Sequence, residues 1–468
     1  MSTQTAPKLV RGLGTWDVSL ITFSTIVGSA IFIAASIVPR AAPDPMIILL
    51  LWTIGGLITL AGVFTYAELG TMFPEAGGLY QFLKEAYGPL WGFLFGWTSF
   101  FVIQTGAIAY LAVAAAQGVG EMWPALDVSQ AVLAVPLGEW TLRIDRGQLG
   151  GAVLIAAITF VNYFGLQAGA GLQNAIAAVK IVALLALIAF GLAATPGAAT
   201  AAAPQAAAST AIGIGSLGVA MIGVLWCFDG WYQASFCAGE IRNPARSLPR
   251  GMILGALATA VIFVLVNIVY LRALPPQQLG EASRIGEAAA LSLFGAGPAR
   301  LMSLAVLISI IGCLATCILT AARIYLPMAQ DGLFFNSLSK IHPTHLTPGA
   351  CLIAQAAWSI LLTFTGSYEQ LGTYVIFAVF VFHAATGASI FVLRRTRPDS
   401  PRPYRAWGYP WTPAIFILTS LAFVLSTLWE RPLESMWGLG IVLLGVPAYA
   451  WWRRSSAHSH TLRRASPS

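Results

Sequence analysis

Residues 176–194 read IAAVKIVALLALIAFGLAA. Apolar side chains fall on every face of this stretch, whatever period is laid over it. A barrel strand in a membrane would alternate apolar and polar residues, and this segment does not. In lipid only helices and closed barrels can satisfy the backbone, so the segment reads as a spanning helix. Its length suits a hydrocarbon core of about 30 Å. Lys180 is its single charge.

The rest of the chain repeats that pattern. Of 468 residues, 57% are hydrophobic and 9% charged, against about 25% charged in a soluble domain. About twelve spans are predicted, at roughly 14–39, 45–73, 89–116, 148–166, 172–194, 212–238, 249–272, 299–328, 348–366, 368–394, 410–429 and 433–452. Residues 74–89 are too polar to cross and contain YQFLKEAYG, which reads as a short interfacial helix. Segments 117–147, 195–211 and 273–298 read as loops, and the Ser/Ala/His/Arg-rich tail 453–468 as disordered. No cleavable signal peptide is visible ahead of the first span.

The net charge of +7 is a topology signal. With both ends inside, most Lys and Arg fall on the inner side, including Lys8, Arg11, Lys84, Arg242, Arg246, Arg250 and the Arg394–Arg405 cluster. Arg40, Arg143, Arg146, Arg272, Arg284, Arg300 and Arg431 fall outside. That bias places both termini in the cytoplasm, with some contact to anionic lipid. It gives no reason to expect nucleic acid. The five cysteines all lie in or beside apolar spans, which argues against a disulfide framework. No metal-ligand cluster, P-loop or nucleophile–base arrangement stands out, so neither a cofactor, a metal nor an enzymatic activity is expected.

Two interruptions carry the functional reading. The first span holds Thr25-Ile26-Val27-Gly28-Ser29-Ala30-Ile31-Phe32 at its middle, and the sixth holds Trp226-Cys227-Phe228-Asp229-Gly230-Trp231. Paired interruptions, five spans apart, point to an inverted repeat with a substrate site at the breaks. Each break exposes unpaired N–H groups at one new end and C=O groups at the other, with partial charges to match. An amino acid carries one group for each. Small residues also serve close helix packing, and Asp229 could simply cap a break. Lys180 is either a snorkelling residue or a fixed interior ammonium, whose titration would allow proton coupling. Glu68 and Glu240, near inner ends beside Arg242 and the Lys84-bearing segment, are a candidate inner gate or solvated end charges. Asn162, Asn267, Gln104, Thr320 and His383 read as bridges between helices.

Several ordered segments resemble the L-type branch of the amino acid–polyamine–organocation superfamily. They are VGSAIF (27–32), TYAELGTMFPEAGGLYQFLKEAYG (65–88), FDGWYQASFCAGEIRNPARSLPRG (228–251), LTAARIYLPMAQDGLF (319–334), SKIHPTHLTP (339–348) and RPDSPRPYRAWGYPW (397–411). The resemblance covers nearly the whole chain. It implies an all-α, leucine-transporter-like fold: a first repeat over 14–194, a second over 212–394, and two further helices over 410–452, after a cytoplasmic segment 1–13. Spans 1, 3, 6 and 8 would surround the site. By carry-over, amides around Ser29, Ala30 and Ile31 would hold the substrate carboxylate. Carbonyls of Ile26, Trp226 and Asp229 would hold its ammonium, with Trp226 as an aromatic gate. Gly28, Cys227 and Gly230 complete the two breaks. Lys180 matches the lysine that replaces a sodium ion in bacterial relatives.

Departures from the branch sharpen the expectation. Gly28-Ser29-Ala30 stands where Gly-Ser-Gly is usual, and the added methyl narrows the site. Asp229 stands where animal relatives often have Gly. Animal members join a heavy chain through an outer-loop Cys, and 117–147 has none, so no disulfide-linked partner is expected. The implied activity is sodium-independent exchange of small neutral L-amino acids by alternating access in the inner cell membrane. Alternatives are proton-coupled symport, transport of cationic amino acids or polyamines, and, outside transport, a channel or membrane sensor.

Overall fold

Proline and aspartate set where several helices begin. In the computed structural model, which describes residues 8–137, 140–195, 213–365, 368–430 and 432–465, α3 (Pro45–Met72) starts with Pro45 in its first turn. The carboxylate of Asp44 accepts the amide of Ile47 at 2.9 Å. Proline lacks the N–H that the first turn leaves unpaired, so it marks the start at no cost. The same logic opens α5 (Pro89–Thr98) and α10 (Pro244–Ala273).

Among the described residues nine helices are long and apolar enough to cross a membrane. The protein is an all-α membrane protein. The first expected span falls short of that measure for a physical reason: it is broken. It consists of α1 (Thr15–Ile26), an irregular stretch, a 3-10 turn (Ala34–Ser36) and α2 (Ile37–Ala41). The third span is α5, a π-turn (Ser99–Ile103) and α6 (Gln104–Met122). The fourth and fifth are α7 (Arg146–Tyr163) and α8 (Leu166–Ala193). The sixth is α9 (Ile214–Phe228) followed by a 3-10 helix (Trp231–Glu240), and the seventh is α10.

The expected loop 273–298 carries two short helices, α11 (Pro276–Glu281) and α12 (Ile285–Phe294), before α13 (Ala296–Gln330). The expected ninth to twelfth spans correspond to α14 (Gly349–Thr363), α15 (Tyr368–Thr396), α16 (Trp411–Glu430) and α17 (Pro432–Ala465). The backbone of α17 stays helical to Ala465, where the sequence predicts a disordered tail. Residues 453–465 contain neither glycine nor proline, so nothing in them interrupts a helix. The loop 117–147 holds an antiparallel hairpin of β1 (Ala131–Leu137) and β2 (Trp140–Asp145). A short helix, α4 (Leu79–Tyr87), forms in the segment 74–89 where one is expected. The Ala/Pro-rich segment 196–212 lies outside the described residues.

Packing places the two broken spans side by side in the bundle. α1 packs against α10, α8, α13 and the 3-10 helix of the sixth span, and α6 packs against α13. At the end where α1 begins, Leu13 and Ile241 pair like parallel strands. The Leu13 amide donates to Glu240 O (3.0 Å) and the Arg242 amide to Leu13 O (2.9 Å). The start of the first span is thereby tied to the end of the sixth.

Candidate functional site

The first break begins where α1 ends, at Ile26. The Gly28 amide turns back to Ile26 O at 2.9 Å, and the amides of Phe32 and Ile33 both reach Ser29 O at 3.0 Å. Among the described residues the amides of Ser29, Ala30 and Ile31 donate to no protein acceptor. Unpaired amides at the start of a helical half carry partial positive charge and suit an anion.

The second break begins at Asp229, whose amide closes the last turn of α9 on Trp226 O at 3.1 Å. Gly230 follows with φ of 104°, a region that suits glycine. A methyl on it would lie 2.8 Å from Thr25 O. The two breaks therefore touch backbone to backbone, which only glycine permits. Ile26 O and Trp226 O each accept one bond here, and each carbonyl retains a second lone pair.

Between the breaks lies a cavity of about 120 Å³. The first break contributes Thr25, Ile26, Gly28, Ser29 and Ala30, and the second contributes Trp226, Asp229, Gly230 and Gln233. Of the expected residues, Ile31 and Cys227 do not line it. Both side chains are buried elsewhere, and Ile31 O accepts the Tyr270 hydroxyl at 3.3 Å. Cys227 follows Trp226 around a helix that turns about 100° per residue, so the two cannot share a face. The structure adds residues that the sequence did not single out. Gly106, Ala107, Tyr110 and Leu111 come from α6, Cys313 and Cys317 from α13. The cavity is thus bounded by spans 1, 3, 6 and 8.

Lys180 stands behind the first break. Its side chain is 2% exposed, which excludes a snorkelling residue. Its ammonium donates to Val27 O (2.8 Å), Ser24 Oγ (3.0 Å) and Ser24 O (3.2 Å). Ser309 on α13 donates to Val27 O (3.0 Å) and Gly28 O (3.1 Å) from the other side. A positive charge and a hydroxyl thus fill the carbonyl acceptors that the end of α1 leaves open. Gly312 makes room, since a methyl there would lie 2.7 Å from Lys180 Cε.

Asp229 faces the cavity with one side and the scaffold with the other. Its Oδ1 lies 3.3 Å from Nε2 of His383 on α15, whose Nδ1 lies 2.7 Å from the hydroxyl of Tyr66 on α3. His383, expected only to bridge helices, is joined directly to the site.

The acidic pair of the candidate inner gate acquires other partners than expected. Glu240 is clasped by Arg323, with Nε–Oε2 of 2.8 Å and Nη2–Oε1 of 3.1 Å, and both side chains are fully buried. Its neighbour Arg242 is not that partner. Glu68, also buried, accepts from Arg394 (2.6 and 2.9 Å) and from the Ala406 amide (2.6 Å). Lys84 pairs instead with Asp331 at 2.7 Å. A buried carboxylate needs a charged partner and hydrogen bonds, and exposed arginines adjacent in sequence cannot supply them. The arginine within LTAARIYL was the legible signal, since a charge inside an apolar run requires a buried partner.

Comparison with known proteins agrees with this geometry. The amino acid permease family model matches residues 13–446. The serine/threonine exchanger SteT of Bacillus subtilis is 28% identical over 454 residues, covering 96% of this chain and 98% of the relative. The b(0,+)-type amino acid transporter 1 of Mus musculus is 29% identical, covering 94% of this chain and 88% of its own. The large neutral amino acids transporter small subunit 2 of Homo sapiens is 27% identical, covering 94% and 80%.

Proposed function

The chain belongs to the amino acid permease family, and on that premise we propose that it exchanges small neutral L-amino acids, of the alanine, serine, threonine and cysteine type, without sodium. The observation that carries this reading is the cavity between two opposed helix breaks. Unpaired amides at Ser29 and Ala30, which line the cavity, take the substrate carboxylate. Asp229, with the carbonyls of Ile26 and Trp226, takes the ammonium. A zwitterion then lies between complementary charges at low cost in desolvation. The bulk left for a side chain is small, because Ala30 and Trp226 both reach into the space.

Lys180 supports independence from sodium, since its ammonium already occupies the carbonyl acceptors at the end of α1. Exchange is supported by the Bacillus subtilis relative, which is named a serine/threonine exchanger. Alternating access follows from the same parts: the breaks hinge the halves of spans 1 and 6, and Glu240–Arg323 latches one end. The distribution of Lys and Arg supports both termini in the cytoplasm. All five cysteines are buried and unpaired, which favours function without a disulfide-linked heavy chain.

The cavity-facing carboxylate of Asp229 is the observation behind a second reading, transport of cationic amino acids or polyamines. Proteoliposomes decide between them. Labelled alanine is supplied outside, with unlabelled amino acid or plain buffer inside, and a proton gradient is imposed in a parallel set. Uptake only into preloaded vesicles is the expected result. Proton-driven uptake into empty vesicles refutes obligatory exchange, and uptake of arginine or polyamines in place of alanine refutes the neutral substrate.

A further inference from the structure

A lone carboxylate facing a substrate cavity should draw cations, and the neutral-substrate reading proposed above needs it not to. The surroundings of Asp229 resolve this. One oxygen lies 3.3 Å from His383 Nε2, and the Tyr66 hydroxyl sits 2.7 Å from Nδ1 of the same ring. A phenol donating to Nδ1 fixes the tautomer in which Nε2 carries the proton and donates to Asp229. The ring thus meets both neighbours at once.

The ring has no freedom to leave. His383 is 1% exposed and stacks on Trp231 at 5.6 Å with 13° between planes. Tyr232 meets it edge-on at 4.7 Å, and Phe380 and Phe416 close the remaining sides. Asp229, Tyr66 and Tyr232 are the titratable groups around it. A second, water-sized space of about 10 Å³ separates Asp229 and His383 from Thr59, Thr419 and Ser420. Asp229 therefore borders two spaces, the substrate cavity on one side and, on the other, this small niche, which Ile58, Leu225 and Phe380 also line.

We propose that His383, oriented by Tyr66, is a specificity-determining positioning residue: it holds Asp229 by one oxygen and leaves the other for a single ammonium. This rests on the neutral-substrate reading. With one oxygen turned to the imidazole and held out of the cavity, the carboxylate meets the α-ammonium with the other and has less to offer a second positive charge. Released from His383, it turns both oxygens into the cavity and accepts a cationic side chain.

The test uses two competitors of matched size, L-homoserine and L-2,4-diaminobutyrate, which differ in a hydroxyl against an ammonium. Inhibition of alanine exchange is measured in proteoliposomes of the full chain. In the wild type, homoserine is expected to compete well and diaminobutyrate poorly. His383→Phe keeps an aromatic ring against Trp231 but removes the donor. It is expected to improve diaminobutyrate relative to homoserine by roughly tenfold, the scale of one hydrogen bond to a charged group. His383→Gln, whose amide nitrogen reaches the place of Nε2, keeps a donor to Asp229 and is expected to keep the exclusion. Tyr66→Phe leaves ring and carboxylate in place, and should give an intermediate shift. Adding Asp229→Asn to His383→Phe should abolish the gain.

An unchanged ratio in His383→Phe, or equal weakening of both competitors, overturns the proposal. If His383→Phe does not fold, Tyr66→Phe decides alone, and an unchanged ratio there overturns it. If the wild type itself prefers diaminobutyrate, the neutral-substrate reading fails first and separately.

Discussion

Replacing Lys180 by methionine keeps the length and bulk of the side chain and removes its charge. The ammonium now makes three hydrogen bonds, to Val27 O, Ser24 Oγ and Ser24 O. Hydrogen bonds to a charged group contribute about 1.5–3 kcal/mol each, so the gross gain is several kcal/mol. Most of it is offset by the cost of burying an ammonium, itself several kcal/mol. Methionine removes both sides of that balance. What remains is the effect on the partners. Val27 O keeps Ser309 Oγ at 3.0 Å, whereas Ser24 O loses its side-chain donor. One buried acceptor left unpaired costs about 1–3 kcal/mol.

That cost falls on the arrangement that exposes the Ser29 and Ala30 amides, because Ser24 and Val27 end the helix just before them. The population of that arrangement, and with it substrate affinity, is expected to fall about 5- to 150-fold. The assay is equilibrium binding of labelled alanine to purified protein in detergent, paired with exchange in proteoliposomes. Weaker binding with intact folding is the expected pair of results. Wild-type binding and wild-type exchange in Lys180→Met would refute the assignment of Lys180 to the break. It would reduce this residue to helix packing.

Three further outcomes are expected. Arg323→Met leaves Glu240 buried without its partner, at a cost of about 3–5 kcal/mol. Its thermal unfolding midpoint should drop, and Glu240→Leu in the same chain should restore part of it. Gly230→Ala must hold φ near 104° and place a methyl 2.8 Å from Thr25 O, a strain of about 1–3 kcal/mol. Exchange should fall at least about tenfold while the protein still reaches the membrane. Ala30→Gly removes one methyl from the cavity wall, worth about 0.8 kcal/mol, so transport of leucine relative to alanine should rise roughly fourfold.

The two breaks were legible because glycine, serine and aspartate are out of place in an apolar helix. Val27-Gly28-Ser29-Ala30 and Asp229-Gly230 needed no partner to be seen, and the same holds for Lys180 as a charge in an apolar run. The walls of the cavity were not legible in this way. Tyr110, Leu111, Cys313 and Cys317 sit in helices that are apolar on every side, so no stripe distinguishes the face toward the cavity from the face toward lipid.

The sequence by itself determined that this chain is helical, that it crosses a membrane many times, and where two of its helices give way. Those are local properties, set by composition and by which residues a helix tolerates. Only the tertiary structure decided which groups answer one another. His383 meets Asp229 across 154 positions, Lys180 meets Val27 across 153, and Arg323 displaces the nearby Arg242 as the partner of Glu240 across 83. Buried charges must be satisfied wherever the packing brings a partner, and packing between helices leaves no trace in the residues adjacent along the chain.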